Sequence, residues 1–330
     1  MKLTDFDYHL PKELIAQYPL RERDRARLLV LKRSQGTIEH RIFKDILDYL
    51  KKEDLLVLNN TKVLPSRLKG FRATGGKVEI LLLNQKSDFT FNALIKPARV
   101  KIKEKIILNG ANISAEVSAK NEITFSGADI DRIYKLGRMP LPPYIKREPD
   151  DLDDVYYQTV YAQKEGAIAS PTAGLHFTQE LLSDIKSRGI NAAYITLHIS
   201  YSTFRPVKSE DVTKHKMDKE YFKISDEAVR LIEQARLRGN RIFCVGTTSL
   251  RALETYASRR INEGYTDLFI YPGYKFNIAC GLVTNFHLPR TTLFMLVCAF
   301  AGERLIKKAY QEAIDKKYRF YSYGDAMLII

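Results

Sequence analysis

Residues 160–178 read VYAQKEGAIASPTAGLHFT and crowd Lys164, Glu165, Ser170, Thr172 and His176 among the small or rigid Gly166, Ala169, Pro171 and Gly174. A helix would not select that mixture, and a plain connecting loop rarely needs it. An imidazole titrates near neutral pH and moves protons, while hydroxyls and a cation hold a polar ligand. Three further segments have the same texture, an apolar run stopped by polar residues. Residues 281–293, GLVTNFHLPRTTL, offer Asn285 and His287. Residues 244–254, CVGTTSLRALE, offer Thr247, Thr248, Ser249 and Arg251; residues 54–68, DLLVLNNTKVLPSRL, offer Asn60, Thr61, Lys62 and Arg67.

Each segment has an ordinary reading when judged alone. Thr and Ser after a strand often cap a helix, Asn favours turns, and a lone histidine is more often a satisfied structural donor. Their recurrence at strand ends argues for one composite active site, because ligands of open α/β sheets collect beyond the carboxyl ends of the strands. Gly246-Thr247-Thr248-Ser249 opens a helix, where free N–H groups suit a carboxylate, phosphate or ribose. Arg21, Arg23, Arg25 and Arg27 alternate in RERDRAR and suit phosphate contact, with Glu22 and Asp24 partly neutralising the patch. No G-x-G-x-x-G follows a strand, no G-x-x-x-x-G-K-[ST] is present, and no H-E-x-x-H or cysteine cluster points to a metal. Those absences speak against dinucleotide binding, the glycine-rich methyltransferase loop and ATP hydrolysis.

The elements that must position these residues fall into two textures. Residues 26–33 (ARLLVLKR) read as a strand turned at Ser34-Gln35-Gly36, followed by an amphipathic helix near residues 43–50 and the apolar strand 55–58. Residues 66–126 then alternate in six short strands, RLKGFR, KVEILLL, FTFNALIK, EKIIL, ISAEVS and EITF, with turns such as Thr74-Gly75-Gly76 and Asn109-Gly110. That pattern predicts a small antiparallel barrel, inserted as residues 66–139 into a discontinuous α/β domain of residues 1–65 and 140–330. After residue 151 helices and strands alternate. Thr178 and Ser225 start helices, AAYITL, RIFCVG, DLFIY, GLVTN and AMLII are strands, and residues 291–302 form a buried helix. The fold class expected is therefore α/β: a mixed, largely parallel sheet flanked by helices, plus the barrel.

A length of 330 residues and an apolar share of 45% fit a folded protein of two domains. The net charge of +14, from 53 Lys and Arg against 39 Asp and Glu, favours an anionic partner, nucleic acid first, over a merely basic surface. Cys244, Cys280 and Cys298 lie in apolar surroundings without disulfide or zinc spacing. The longest apolar run, residues 293–302, is half of the roughly 20 residues a membrane span needs, and no signal peptide is evident. A soluble, cytoplasmic protein with no membrane association is expected.

Taken together, LLVLNNTKVLPSRL (55–68), GRMPLPPYIKR (137–147), YQTVYAQKEGAIASPTAGLHFT (157–178), VGTTSLRALE (245–254), LVTNFHLPRTTLFMLV (282–297) and YRFYSYGDAML (318–328) resemble the S-adenosylmethionine:tRNA ribosyltransferase-isomerase family of queuosine biosynthesis, from one end of the chain to the other. The resemblance implies that S-adenosylmethionine (AdoMet) is a consumed cosubstrate, with no permanently bound cofactor and no metal. Its ribosyl part is transferred and isomerised onto the aminomethyl group of 7-aminomethyl-7-deazaguanine (preQ1) at the tRNA wobble position. Epoxyqueuosine-tRNA, adenine and methionine result. That chemistry needs a base for the ribose carbon beside the sulfonium, a donor for departing adenine and a neutral acceptor amine. His176 and His287 are the matching imidazoles, with Asp325 a further proton carrier. Arg251 suits the methionyl carboxylate, and Tyr156, Tyr157 and Tyr161 suit the sulfonium or adenine. A monomer is expected.

Two segments depart from the family pattern. HISYSTFRPV (198–207) has Ser200 and Ser202 where the family usually has glycines, and HKMDKE (215–220) has Asp218 in place of a histidine, leaving His215 and Glu220. The competing readings are an AdoMet-dependent RNA methyltransferase, which lacks its glycine loop here, and a non-catalytic RNA-binding protein using the barrel. The barrel has few aromatics among its basic residues for the latter.

Overall fold

The computed structural model describes residues 1–108, 113–127, 129–201, 207 and 209–330; Ser202 and the Asn109-Gly110 turn lie outside them. The first strands are β1 (Arg27–Lys32), β2 (Thr37–Ile42), β3 (Leu55–Asn59) and β4 (Thr61–Val63). Next come β5 (Arg67–Arg72), β6 (Lys77–Ser87), β7 (Thr90–Lys96), β8 (Lys105–Leu108), β9 (Ser114–Ala119) and β10 (Glu122–Ser126), which close into an antiparallel barrel. Their inward residues, among them Leu68, Ile80, Phe91, Ile106 and Ile123, form a core of their own, capped by Ile133 of helix α1 (Ile130–Lys135). Helix α2 (Asp151–Tyr156) and β11 (Lys164–Ala167) lead back, β11 pairing with β4.

The remaining elements are α3 (Gln179–Ser187), β12 (Asn191–Leu197), β13 (Glu220–Ile224), α4 (Asp226–Leu237), β14 (Ile242–Val245), α5 (Thr247–Arg259), β15 (Glu263–Thr266), β16 (Gly281–Asn285), α6 (Thr292–Ala301), α7 (Glu303–Asp315) and β17 (Ala326–Ile329). Among the described residues, nine strands form one mixed sheet in the order β15-β13-β12-β3-β14-β16-β17-β1-β2. Its centre, β12, β3, β14 and β16, is parallel; β17 runs antiparallel to β16, and β1 is parallel to β17. Both faces are covered, which is why the central strands read as unbroken apolar runs. Side chains alternate across them: Leu55 and Val57 enter the core beneath α4 to α7, whereas Leu56 and Leu58 enter the one beneath α3.

Two expectations change. Residues 267–271 are not a strand, because side chains occupy their backbone: Leu268 N–H donates to Thr266 Oγ1 (3.2 Å), and its carbonyl accepts from Arg251 Nε (3.1 Å). The turn of helix after β2 is 3-10, Phe43–Asp48, with Phe43 and Ile46 buried. Among the described residues no helix is long and apolar enough to cross a membrane.

Candidate functional site

Because the four central strands share one direction, their carboxyl ends deliver Asn59-Asn60, Ile199, Gly246-Thr247-Thr248 and Asn285-Phe286-His287 to one edge. A cavity of about 540 Å³ opens there, lined by Thr172, Thr247, Thr248, Asn285 and His287, five of the residues singled out above. Gly246 makes the turn into α5 at φ +89°, a conformation that favours glycine, and so aims the start of that helix at the cavity. Residues 168–176 are set against the same edge by the Ile168 N–H bond to Ile199 O (3.0 Å) and the 3-10 turn Thr172–His176. Gly174 in that turn has no room for a side chain, since an added Cβ would lie 2.0 Å from the Tyr161 hydroxyl.

The cavity also takes residues that the strand-end argument passes over. Lys12 and Gln17 come from the N-terminal segment, Tyr144 and Lys146 from the stretch after the barrel, and Tyr321 and Ser322 from the loop before β17. That loop reaches the edge because β17 is antiparallel to β16, so its start, not its end, faces the ligand space. Tyr321 is held at φ +73°, strained for a tyrosine, by its N–H bond to Phe286 O (3.1 Å) and its stack on Tyr144 at 4.3 Å. Gln17 fastens the opposite wall, donating to Tyr144 O (3.1 Å) and accepting from Lys146 N–H (2.7 Å). Lys12 and Lys146 have no ion-pair partner among the described residues.

Three buried polar atoms on the lining have no hydrogen-bond partner among the described residues: Ser170 Oγ, Asn285 Oδ1 and Tyr321 Oη. Buried polar groups are normally satisfied, so three unpartnered ones in the walls of one cavity, each closed to solvent, are a local departure from that rule. The Asn285 amide is oriented: Nδ2 donates to Tyr321 O (3.0 Å) and to His176 Nε2 (3.3 Å), so Oδ1 is left as an acceptor.

The two histidines sit on either side of β16. His287 lines the cavity with Nε2 2.6 Å from Thr284 Oγ1, and burial pulls its pKa down to about 3. His176 lies outside the cavity lining, stacked on Phe43 at 4.9 Å, with Asn285 Nδ2 3.3 Å from its Nε2. Burial, with the Arg319 and Arg23 charges, also lowers its pKa to about 3.

Other predicted residues are brought elsewhere. Asp325 accepts the N–H groups of Arg27 (3.0 Å) and Arg319 (2.8 Å), and burial raises its pKa against those two bonds. Arg251 is sealed in with Glu220 at 2.5 Å, and Ser200 N–H also donates to that carboxylate (2.9 Å). Ser249 Oγ donates to Val245 O at the end of β14 (2.8 Å). Asn60 accepts from Thr196 (2.7 Å), Thr61 pairs with His198 (2.8 Å), Lys62 with Glu165 (3.0 Å), and Arg67 with Glu79 (2.7 Å). Tyr156 donates to Arg21 O (2.9 Å), while the Tyr157 and Tyr161 rings are buried in the wall behind the 3-10 turn. Arg23 grips the carbonyls of Val155, Gln158 and Leu175, Arg25 pairs with Glu22, and Arg27 lies 3.7 Å over Tyr318. Of the four arginines, Arg21 alone has a guanidinium without a partner among the described residues.

A second, more polar cleft of about 350 Å³ separates the barrel from residues 141–149 and shares Pro143 and Lys146 with the first. Arg67, Lys96 and Arg147 line it.

A family model described as queuosine biosynthesis protein matches residues 3–329. Curated relatives named S-adenosylmethionine:tRNA ribosyltransferase-isomerase align over the whole of both chains, at 53% identity for that of Sulfurihydrogenibium sp. and 49% for that of Aquifex aeolicus. A crystal structure of S-adenosylmethionine tRNA ribosyltransferase from Thermotoga maritima matches with TM-score 0.59 and 38% identity, covering 99% of this chain and 100% of that one. The mixed sheet, its barrel and the cavity at the sheet edge are thus those of a member of the queuosine biosynthesis family of S-adenosylmethionine:tRNA ribosyltransferase-isomerases, to which this chain belongs.

Proposed function

We propose that this enzyme transfers and isomerises the ribosyl part of AdoMet onto the aminomethyl group of preQ1 at the wobble position of tRNA, releasing adenine and methionine. The observation that carries the reading is the cavity at the sheet edge that His287, Thr172, Thr247, Asn285, Ser170 and Tyr321 line together. A nucleoside with ring nitrogens, an amine and hydroxyls suits that pattern of donors and acceptors. His287 is the base that takes the proton from the ribose carbon next to sulfur. The methionyl carboxylate goes to the open start of α5 at Thr247, with the ammonium of Lys12 or Lys146, because Arg251 already serves Glu220.

The tRNA strand runs along the second cleft, where Lys96 and Lys146 meet phosphate, with Arg21 as an outer contact. Residues 66–139 act as an inserted domain forming one wall of that cleft. The enzyme works as a monomer in the cytoplasm, where its tRNA is. Incubation with methyl-labelled AdoMet and preQ1-bearing tRNA tests the reading. Label in free methionine, adenine release and an epoxyqueuosine mass in the tRNA are expected. Label in the RNA would make it a methyltransferase, and tight tRNA binding without adenine release a binding protein.

A further inference from the structure

We propose that Thr284 sets the tautomer of His287, holding the ring proton on Nε2 and presenting Nδ1 as the lone pair that faces the cavity. Thr284 Oγ1 lies 2.6 Å from His287 Nε2 and 3.3 Å from the Asn285 carbonyl oxygen. A hydroxyl has one proton and two lone pairs, and a carbonyl only accepts. The one hydroxyl proton can go to Asn285 O or to Nε2; we assign it to Asn285 O, and Nε2 is then the donor to Oγ1. Nδ1 then carries no proton, and it has no protein partner among the described residues.

The rest of the residue is already immobilised. Its N–H donates to the Tyr310 hydroxyl of α7 (3.0 Å), and its carbonyl accepts from the Tyr8 hydroxyl. Backbone contacts from two elements fix where the ring starts; Thr284 fixes which way it turns. Burial keeps the imidazole neutral at pH 7, so that one nitrogen must be bare.

The role rests on the reaction proposed above. When Nδ1 takes the proton, the ribosyl C–H bond breaks, its electron pair stays on the carbon beside the sulfonium, and an imidazolium forms whose Nε2–H still donates to Thr284. Thr284 is a positioning residue: it touches the base and acts through it.

The test uses the full-length chain labelled with ¹⁵N-histidine, together with Thr284→Val and Thr284→Ser. In the unliganded wild type, Nε2 of His287 is expected to resonate as a protonated nitrogen and Nδ1 as a bare one. Thr284→Val is expected to mix or reverse that pattern and to lower kcat by roughly 10²-fold, with KM for AdoMet within about twofold. Thr284→Ser is expected to restore both. A proton on Nδ1 in the wild type, or normal kcat with an unchanged tautomer in Thr284→Val, overturns the assignment. The wild-type spectrum decides it even if the valine variant fails to fold. Should that spectrum agree while no ribosyl transfer occurs, the tautomer assignment stands and the functional reading falls.

Discussion

His176 and His287 flank the same strand, both buried and both drawn down to a pKa of about 3, yet their surroundings set them to different work. Side chains alternate along β16, so Thr284 and Asn285 project to opposite faces and each meets one imidazole. On His176 the ring is packed in: Asn285 donates to Nε2 and Phe43 covers the face. The small void beside it, about 20 Å³, admits no substrate. On His287 Nε2 is engaged by Thr284, Nδ1 has no hydrogen-bond partner among the described residues, and the residue lines a cavity of about 540 Å³. Burial and weakened basicity therefore do not separate a packing histidine from a chemical one. The proposal that His287 is the base rests instead on a spare lone pair with room in front of it.

The most forceful way to break this contrast is to remove each ring in turn. His287→Ala is expected to lower turnover by about 10³-fold, measured as adenine release, while AdoMet binding persists. Near-normal turnover would take the base away from His287. His176→Ala is expected to act chiefly on stability, by about 2–4 kcal/mol in urea unfolding, because it empties a buried site against Phe43 and frees the Asn285 amide. Turnover should fall by only about tenfold, through the loosened Asn285. Abolished turnover with an unchanged unfolding midpoint would exchange the two roles.

The contrast was only half visible in the sequence. Both imidazoles stand in polar segments after apolar runs, and the central strands are legible because strands buried on both faces must be apolar throughout. Helices starting at Thr178 and Ser225 are legible from their caps, and the barrel strands from their alternation. What engages each ring is not legible. Thr284 looks like any strand threonine, and Arg251 gives no sign that Glu220, 31 residues earlier, occupies it. Tyr144, Tyr321 and Ser322 escape because the strand-end argument looks beyond carboxyl ends, whereas β17 brings its amino end to the site. Asp325 misleads for a related reason: a carboxylate in a polar cluster looks reactive until two backbone amides are found on it.

Acid sharpens the comparison by treating the two rings alike. Each takes a proton near pH 3 in the folded chain and near 6.5 when exposed. Between those values the unfolded chain holds more protons, so stability falls as pH drops from about 6.5 towards 3. At pH 5 the loss is about 2 kcal/mol for each ring. Asp325, its pKa raised by burial, works in the opposite direction. His287→Gln should remove about 2 kcal/mol of the acid loss, read from urea unfolding at pH 5 and 7. An unchanged loss would mean that His287 is hydrated and titrates normally.

The smallest effect extends the same bookkeeping of partners to the arginines. Arg23 reaches the wall of the His176 site, donating to Leu175 O, and its guanidinium also holds Val155 and Gln158. Arg21 holds nothing with its guanidinium among the described residues and is exposed. If an unengaged group marks function here as proposed for the imidazoles, Arg21→Ala should weaken tRNA binding severalfold and reduce the slope of log affinity against log salt by about one. The unfolding midpoint should not move. Arg23→Ala should leave that slope unchanged and lower the midpoint, since three carbonyls lose their donor. Equal salt slopes for Arg21→Ala and the wild type would restrict the lesson to the buried site, where a spare valence is costly, and deny it to the surface, where water satisfies every charge.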